Sequence, residues 1–191
     1  MTALQKAADF GRAGVVLGRV LLLGLVCNGV PACAGSAGKA VQAAGPRPAP
    51  VEFSYFAPDG TRFDSAGTRG RVTAILLLTT YDLNSQLVAR RLNDVLHSFK
   101  PRFNAGAVAL EPAKYAVFLE PFKESLGLTY PVVLADQATL QGEGALGGGV
   151  EVPMLIVLDV EGRPLWRLAG PATEAQIRSA LKAAQPRESS E

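Results

Sequence analysis

The sequence predicts an α/β domain: a central mixed sheet with helices on both faces, closed by a C-terminal hairpin and helix. Three observations predict it. First, Val72–Thr80 (VTAILLLTT) and Ala105–Leu110 (AGAVAL) are continuous apolar runs, the pattern of strands covered on both faces. Second, Leu83, Leu87, Val88, Leu92, Val95, Leu96 and Phe99 recur between them at helical spacing, up to a stop at Pro101. Third, Met154–Asp159, the turn Glu161-Gly162 and Leu165–Leu168 read as a hairpin, followed by a helix with Ile177 and Leu181 facing inward.

The remaining elements fill in around these. Val51, Phe53 and Tyr55 alternate as in a half-buried strand, and Pro58-Asp59-Gly60 is a turn. Asp82 is placed to cap the first long helix. Tyr115, Phe118, Leu119, Phe122 and Leu126 form a second helical stripe, ended by Gly127. Pro121 inside it must kink the helix or start a new turn. Pro131–Ala135 is a short strand, and Thr173-Glu174-Ala175-Gln176 is a capping box for the last helix. The domain therefore spans 51–184.

The N-terminal region has a different character. Residues 1–34 read as an export signal: Lys6, Arg12 and Arg19 form a basic start, and Val20–Val26 (VLLLGLV) is a short apolar stretch. That stretch falls short of the about 20 residues a membrane-spanning helix needs. Val30-Pro31-Ala32-Cys33 resembles a bacterial lipobox with Cys33 as the lipidation site, although Pro31 departs from the usual small residue. Cleavage after Ala32-Cys33-Ala34, an A-x-A pattern, fits as well, and an uncleaved membrane-anchoring helix is the third reading. Residues 35–50 (GSAGKAVQAAGPRPAP) read as a flexible linker and 185–191 (QPRESSE) as a polar tail.

Charge and cysteine content exclude several functions. Residues 1–50 hold five basic residues and one acid, while 51–191 hold 14 basic and 16 acidic residues. The domain thus has no basic surplus with which to neutralise phosphates, and nucleic acid is excluded as a partner. Both cysteines, Cys27 and Cys33, lie in the leader. No disulfide or cysteine-held metal can form within the domain, and no cofactor or metal is expected.

Two stretches carry a resemblance. Phe56–Leu78 (FAPDGTRFDSAGTRGRVTAILLL) and Val152–Pro171 (VPMLIVLDVEGRPLWRLAGP) are similar to the entry and exit of the thioredoxin superfamily, most closely the TlpA/ResA-type periplasmic thiol–disulfide proteins, a redoxin-like group. The resemblance implies a thioredoxin-like fold over 51–184. It also implies an active site where the central strand meets the first long helix, in which active members carry C-x-x-C. Asp82 stands at the nucleophilic position, Ser85 at the resolving position, and Tyr81 keeps the aromatic one. Pro153 matches the family's cis-proline, so the resemblance implies a cis Val152–Pro153 bond beside a groove that also takes in Leu83 and Asn84.

A carboxylate and a hydroxyl cannot exchange disulfides, because the reaction needs a thiolate to attack sulfur. Family likeness suggests a thiol–disulfide oxidoreductase; these residues argue against that activity and against peroxidase chemistry. The leading expectation is a redox-inactive envelope protein, periplasmic or lipid-anchored through Cys33, that holds a protein or peptide partner in the degenerate groove. A second reading makes Tyr81, Asp82 and Ser85 the machinery of another class of enzyme, and needs a carboxylate with a raised pKa. A third leaves the groove vestigial.

Other signals are weaker. Gly142–Gly147 spells G-x-G-x-x-G but precedes a strand rather than opening a helix, so it reads as a loop. His97 is the only histidine and lies on the polar side of its helix, which leaves little for a triad or a metal site. The lack of cysteines also sets this chain apart from Sco-type copper carriers. Trp166 reads as packing, and Glu111, just after the second strand, as a solvated strand end, with a place facing the groove as the alternative.

Overall fold

A computed structural model describes residues 39–42, 47–147 and 151–186. The leader, Cys33 and its processing, and the tail beyond 186 lie outside the described residues. Among the described residues no helix is long and apolar enough to cross a membrane.

Eight strands form one mixed sheet: β1 (Lys39–Gln42), β2 (Ser54–Phe56), β3 (Arg62–Asp64), β4 (Thr73–Leu78), β5 (Asn104–Ala109), β6 (Val132–Leu134), β7 (Met154–Leu158) and β8 (Pro164–Ala169). Their order is β1-β8-β7-β4-β5-β6-β2-β3. β4, β5 and β6 run parallel, and β7 joins β4 antiparallel. Among the described residues five α-helices accompany them: α1 (Ser65–Thr68), α2 (Leu83–Ser98), α3 (Leu119–Leu126), α4 (Gln137–Leu140) and α5 (Glu174–Ala184).

The period-two geometry of β4 divides the interior into two layers. Ala74, Leu76 and Leu78 point to one face and pack with Val88, Ala89 and Leu92 of α2, Leu119 and Phe122 of α3, and Ile177 and Leu181 of α5. Ile75 and Leu77 point to the other, against Phe53, Tyr55, Phe63 and Leu146. On that second face the Tyr55 hydroxyl and Thr139 Oγ1 of α4 are hydrogen-bonded at 2.8 Å. Helices thus cover both faces, the long ones on one side. The predicted capping box is formed: Thr173 Oγ1 accepts from the Gln176 amide, and the Thr173 amide donates to Gln176 Oε1.

Three sequence expectations need correction. The 35–50 segment is not wholly a linker, since Lys39–Gln42 pairs antiparallel with β8, from Lys39 opposite Ala169 to Gln42 opposite Trp166. Without it β8 would present a row of unpaired backbone groups. The α2 stripe also starts later than its leucines suggest. Leu83 and Leu87 are exposed, and the buried face runs through Ser85, Val88, Ala89, Leu92, Asn93 and Val95. The second stripe, finally, is two elements. A 3-10 segment spans Ala113–Phe118 and α3 follows from Leu119, with Pro121 in the first turn of α3, where a missing N–H does no harm. Gly127 ends α3 in the left-handed conformation at φ 62°, as the sequence suggests.

Tyr130 ties α2 to the loop before β6, its hydroxyl donating to the Ala89 carbonyl at 2.8 Å. Burial raises its pKa far above the ordinary phenol value. Burial also raises that of Tyr55, and the nearby Asp136 charge adds to this. In both, the folded state keeps a proton that the unfolded chain releases above about pH 10. Their contribution is therefore intact below that pH and is lost as pH rises beyond it. Tyr130→Phe should cost about 1 kcal/mol at neutral pH through the lost hydrogen bond, yet flatten the alkaline decline. Urea unfolding measured at a series of alkaline pH values checks this; a decline as steep as the native chain's would contradict it.

Candidate functional site

The central strand β4 ends at Leu78, and Thr79–Asp82 carries the chain into α2. Hydrogen bonds hold this short link on both sides of Tyr81. The Asp82 carboxylate caps α2 by accepting from the Ser85 amide at 2.7 Å. Ser85 is fully buried, and its Oγ accepts from the Thr79 amide at 3.4 Å. Gln86 Nε2 donates to the Thr80 carbonyl at 3.0 Å, and the Thr80 amide donates to the Glu111 carboxylate. Tyr81, pinned on both sides, stands out into solvent with 78% of its surface exposed.

The two positions matching the family's cysteine pair therefore have structural work. Asp82 is half-buried and its carboxylate is engaged by the helix's own N–H. Ser85 is inaccessible. Asp82→Ala should lower stability by about 1 kcal/mol, and Asp82→Asn should recover most of it, since an amide oxygen also caps. Thermal unfolding of the two variants checks this; equal melting of Asp82→Ala and the native chain would show that the cap contributes nothing.

The remaining sequence candidates fall on both sides of Tyr81. Val152–Pro153 is cis, as the resemblance implies. Pro153 is buried and Val152 half-buried. Met154 pairs with Leu77, so the Val152–Pro153 bond stands beside the end of β4, on its β7 side. Leu83 and Asn84 lie exposed on the first turn of α2. Neither they nor Val152 and Pro153 line the largest groove near Tyr81, which opens on the β5 side of β4.

That groove encloses about 570 Å³ and is walled mainly by Tyr81, Gln86, Glu111, Tyr115, Phe118 and Phe122. Tyr115 and Phe118 stack with ring centroids 6.2 Å apart, at an interplanar angle of 30°. Both are substantially exposed, as are Val117, Leu83 and Leu87.

Glu111 overturns its reading as a solvated strand end: only 2% of it is exposed. It lies two residues past the end of β5, and Pro112 then leads the chain into the 3-10 segment. The Thr80 amide, left without a strand partner, bonds to its carboxylate. The other set-aside signals keep their readings. Gly142–Gly147 follows α4 and opens no helix, His97 is exposed, and Trp166 packs half-buried against the core.

The fold is thioredoxin-like. Solved structures align over most of the chain. A thiol:disulfide interchange protein of the thioredoxin family from Chlorobium tepidum is 23% identical, covering 74% of this chain and 99% of its own, with a TM-score of 0.61. A DsbF homologue from Corynebacterium diphtheriae is 16% identical, covering 80% of this chain and 96% of its own, with a TM-score of 0.64. An exposed lipoprotein thioredoxin from Streptococcus pneumoniae is 14% identical, covering 69% and 98%, with a TM-score of 0.58. No family model and no curated sequence matches the chain.

Proposed function

We propose that this protein is an exported, redox-inactive thioredoxin-fold module of the cell envelope that holds a segment of a partner protein. The observation that carries the proposal is the pairing of two features at one end of the sheet. The positions that would hold sulfur are occupied by Asp82 and Ser85, both committed to the backbone, while an apolar groove beside them keeps an exposed aromatic rim of Tyr81, Tyr115 and Phe118. Aromatic side chains supply most of the energy at protein interfaces, so a rim of this composition suits a polypeptide better than a small polar ligand. Export is supported by the leader, and solved structures of similar fold include proteins described as secreted and as an exposed lipoprotein.

The test is site-specific photo-crosslinking in living cells. A photoreactive phenylalanine at position 118 should capture a defined partner, and the same group at Lys182, on the exposed side of α5, should not. Equal capture at both positions, or none at 118, would remove the support for the groove as a binding site.

A further inference from the structure

Glu111 is the one ionisable carboxylate in the wall of the groove, which is otherwise lined by Tyr81, Tyr115, Phe118, Pro121 and Phe122 and by the uncharged polar residues Thr80, Gln86 and Ser125. The backbone at the end of β5 fixes this carboxylate, which is almost wholly removed from water. It accepts one hydrogen bond, from the Thr80 amide. An ionised carboxylate has about four lone-pair sites, so most of its capacity is unmet. Among the described residues no cation pairs with it. Lys114, three residues on, instead places Nζ 5.0 Å from the centroid of the Tyr115 ring.

We infer that the segment received by the groove carries a lysine or arginine side chain whose charged end meets Glu111 and whose aliphatic stem lies along Phe118, Phe122 and Tyr115. This rests on the binding role proposed above and adds the chemistry of the partner. Glu111 is only 2% exposed, so little of its hydration remains to be lost when a cation arrives, and the cation's own desolvation is the larger opposing cost. The apolar walls suit the methylene stem of a basic side chain. The exposed ring of Tyr81 is the π-face available to a cation, since Tyr115 already stacks on Phe118 and carries Lys114 over its ring. An acidic segment would face like-charge repulsion. A purely apolar one would leave a buried carboxylate still unpaired.

Selection of displayed random peptides on the full chain tests this. Native chain should enrich peptides with lysine or arginine at one fixed position beside an aromatic or branched residue. Selection on Glu111→Gln should keep the apolar position and lose the basic one. A selected peptide should bind the native chain roughly 10- to 100-fold more tightly than Glu111→Gln. Glutamine retains an oxygen acceptor for the Thr80 amide. Norleucine in place of the peptide's lysine reads the same contact with the protein unchanged, and should lose a similar factor. Peptides that need Phe118 but ignore Glu111→Gln would overturn the basic-residue assignment alone. Peptides indifferent to both Glu111→Gln and Phe118→Ala, or no enrichment, would overturn the groove reading and this inference with it.

Discussion

Replacing Gly106 by alanine will destabilise the domain by about 1–3 kcal/mol, a large effect for a single methyl group. Gly106 lies within β5, in the middle of the sheet, and the ring of Phe63 from β3 lies directly over it. A Cβ at Gly106 would stand 2.5–2.8 Å from three carbons of that ring. Phe63 cannot swing aside freely, because it is buried against Phe53, with ring centroids 5.3 Å apart. The strain must shift either β3 or β5. Shortening the ring to a leucine side chain should relieve it, so Gly106→Ala in a Phe63→Leu background should cost markedly less than in the native chain. Chemical denaturation of the two single variants and the double variant measures the coupling. Simple additivity would mean that the clash is absorbed elsewhere.

The second large effect is on binding. Tyr115→Ala and Phe118→Ala should each weaken capture of the crosslinked partner by about 2 kcal/mol or more, roughly 30-fold. The domain itself should lose about 1 kcal/mol or less, since both side chains are exposed and give up little beyond their mutual stacking. That split distinguishes an interface residue from a core one. Leu92, which is fully buried on α2, should behave the opposite way: Leu92→Ala costs about 2–5 kcal/mol of stability without touching the groove. Affinity measured alongside melting temperature separates the cases, and loss of affinity only in step with loss of folding would count against the groove.

The parts of this fold that could be read from sequence were those governed by local pattern. β4 and β5 are apolar throughout because the sheet is covered on both faces, and that is visible in a run of letters. The capping box at Thr173 and the left-handed Gly127 are likewise local chemistry. What escaped was set by distant partners. β1 is a strand because β8 offers it an edge; its own four residues, KAVQ, say little. Leu83 and Leu87 fit a helical stripe by spacing, but the sheet contacts α2 along a line rotated from them, so they stay outside.

Resemblance pointed to Tyr81, Asp82, Ser85 and Pro153, and of these Tyr81 alone lines the groove. Glu111 was noticed and misjudged, because a glutamate at the end of a strand is normally solvated. Its burial beside the Thr80 amide, a contact with a residue 31 positions earlier, is not visible in the local sequence. The 3-10 segment behind Pro112 turns Tyr115 and Phe118 outward, where an unbroken helix would have placed them with Leu119 in the core.

The central claim is that this end of the sheet holds a polypeptide without exchanging electrons with it. Disulfide-exchange turnover of the full chain, with Cys27→Ser and Cys33→Ser removing the only thiols, tests that most directly. The account predicts a rate no higher than the uncatalysed background, from protein that melts cooperatively. Catalysed reduction or oxidation of a dithiol substrate by that protein would contradict it.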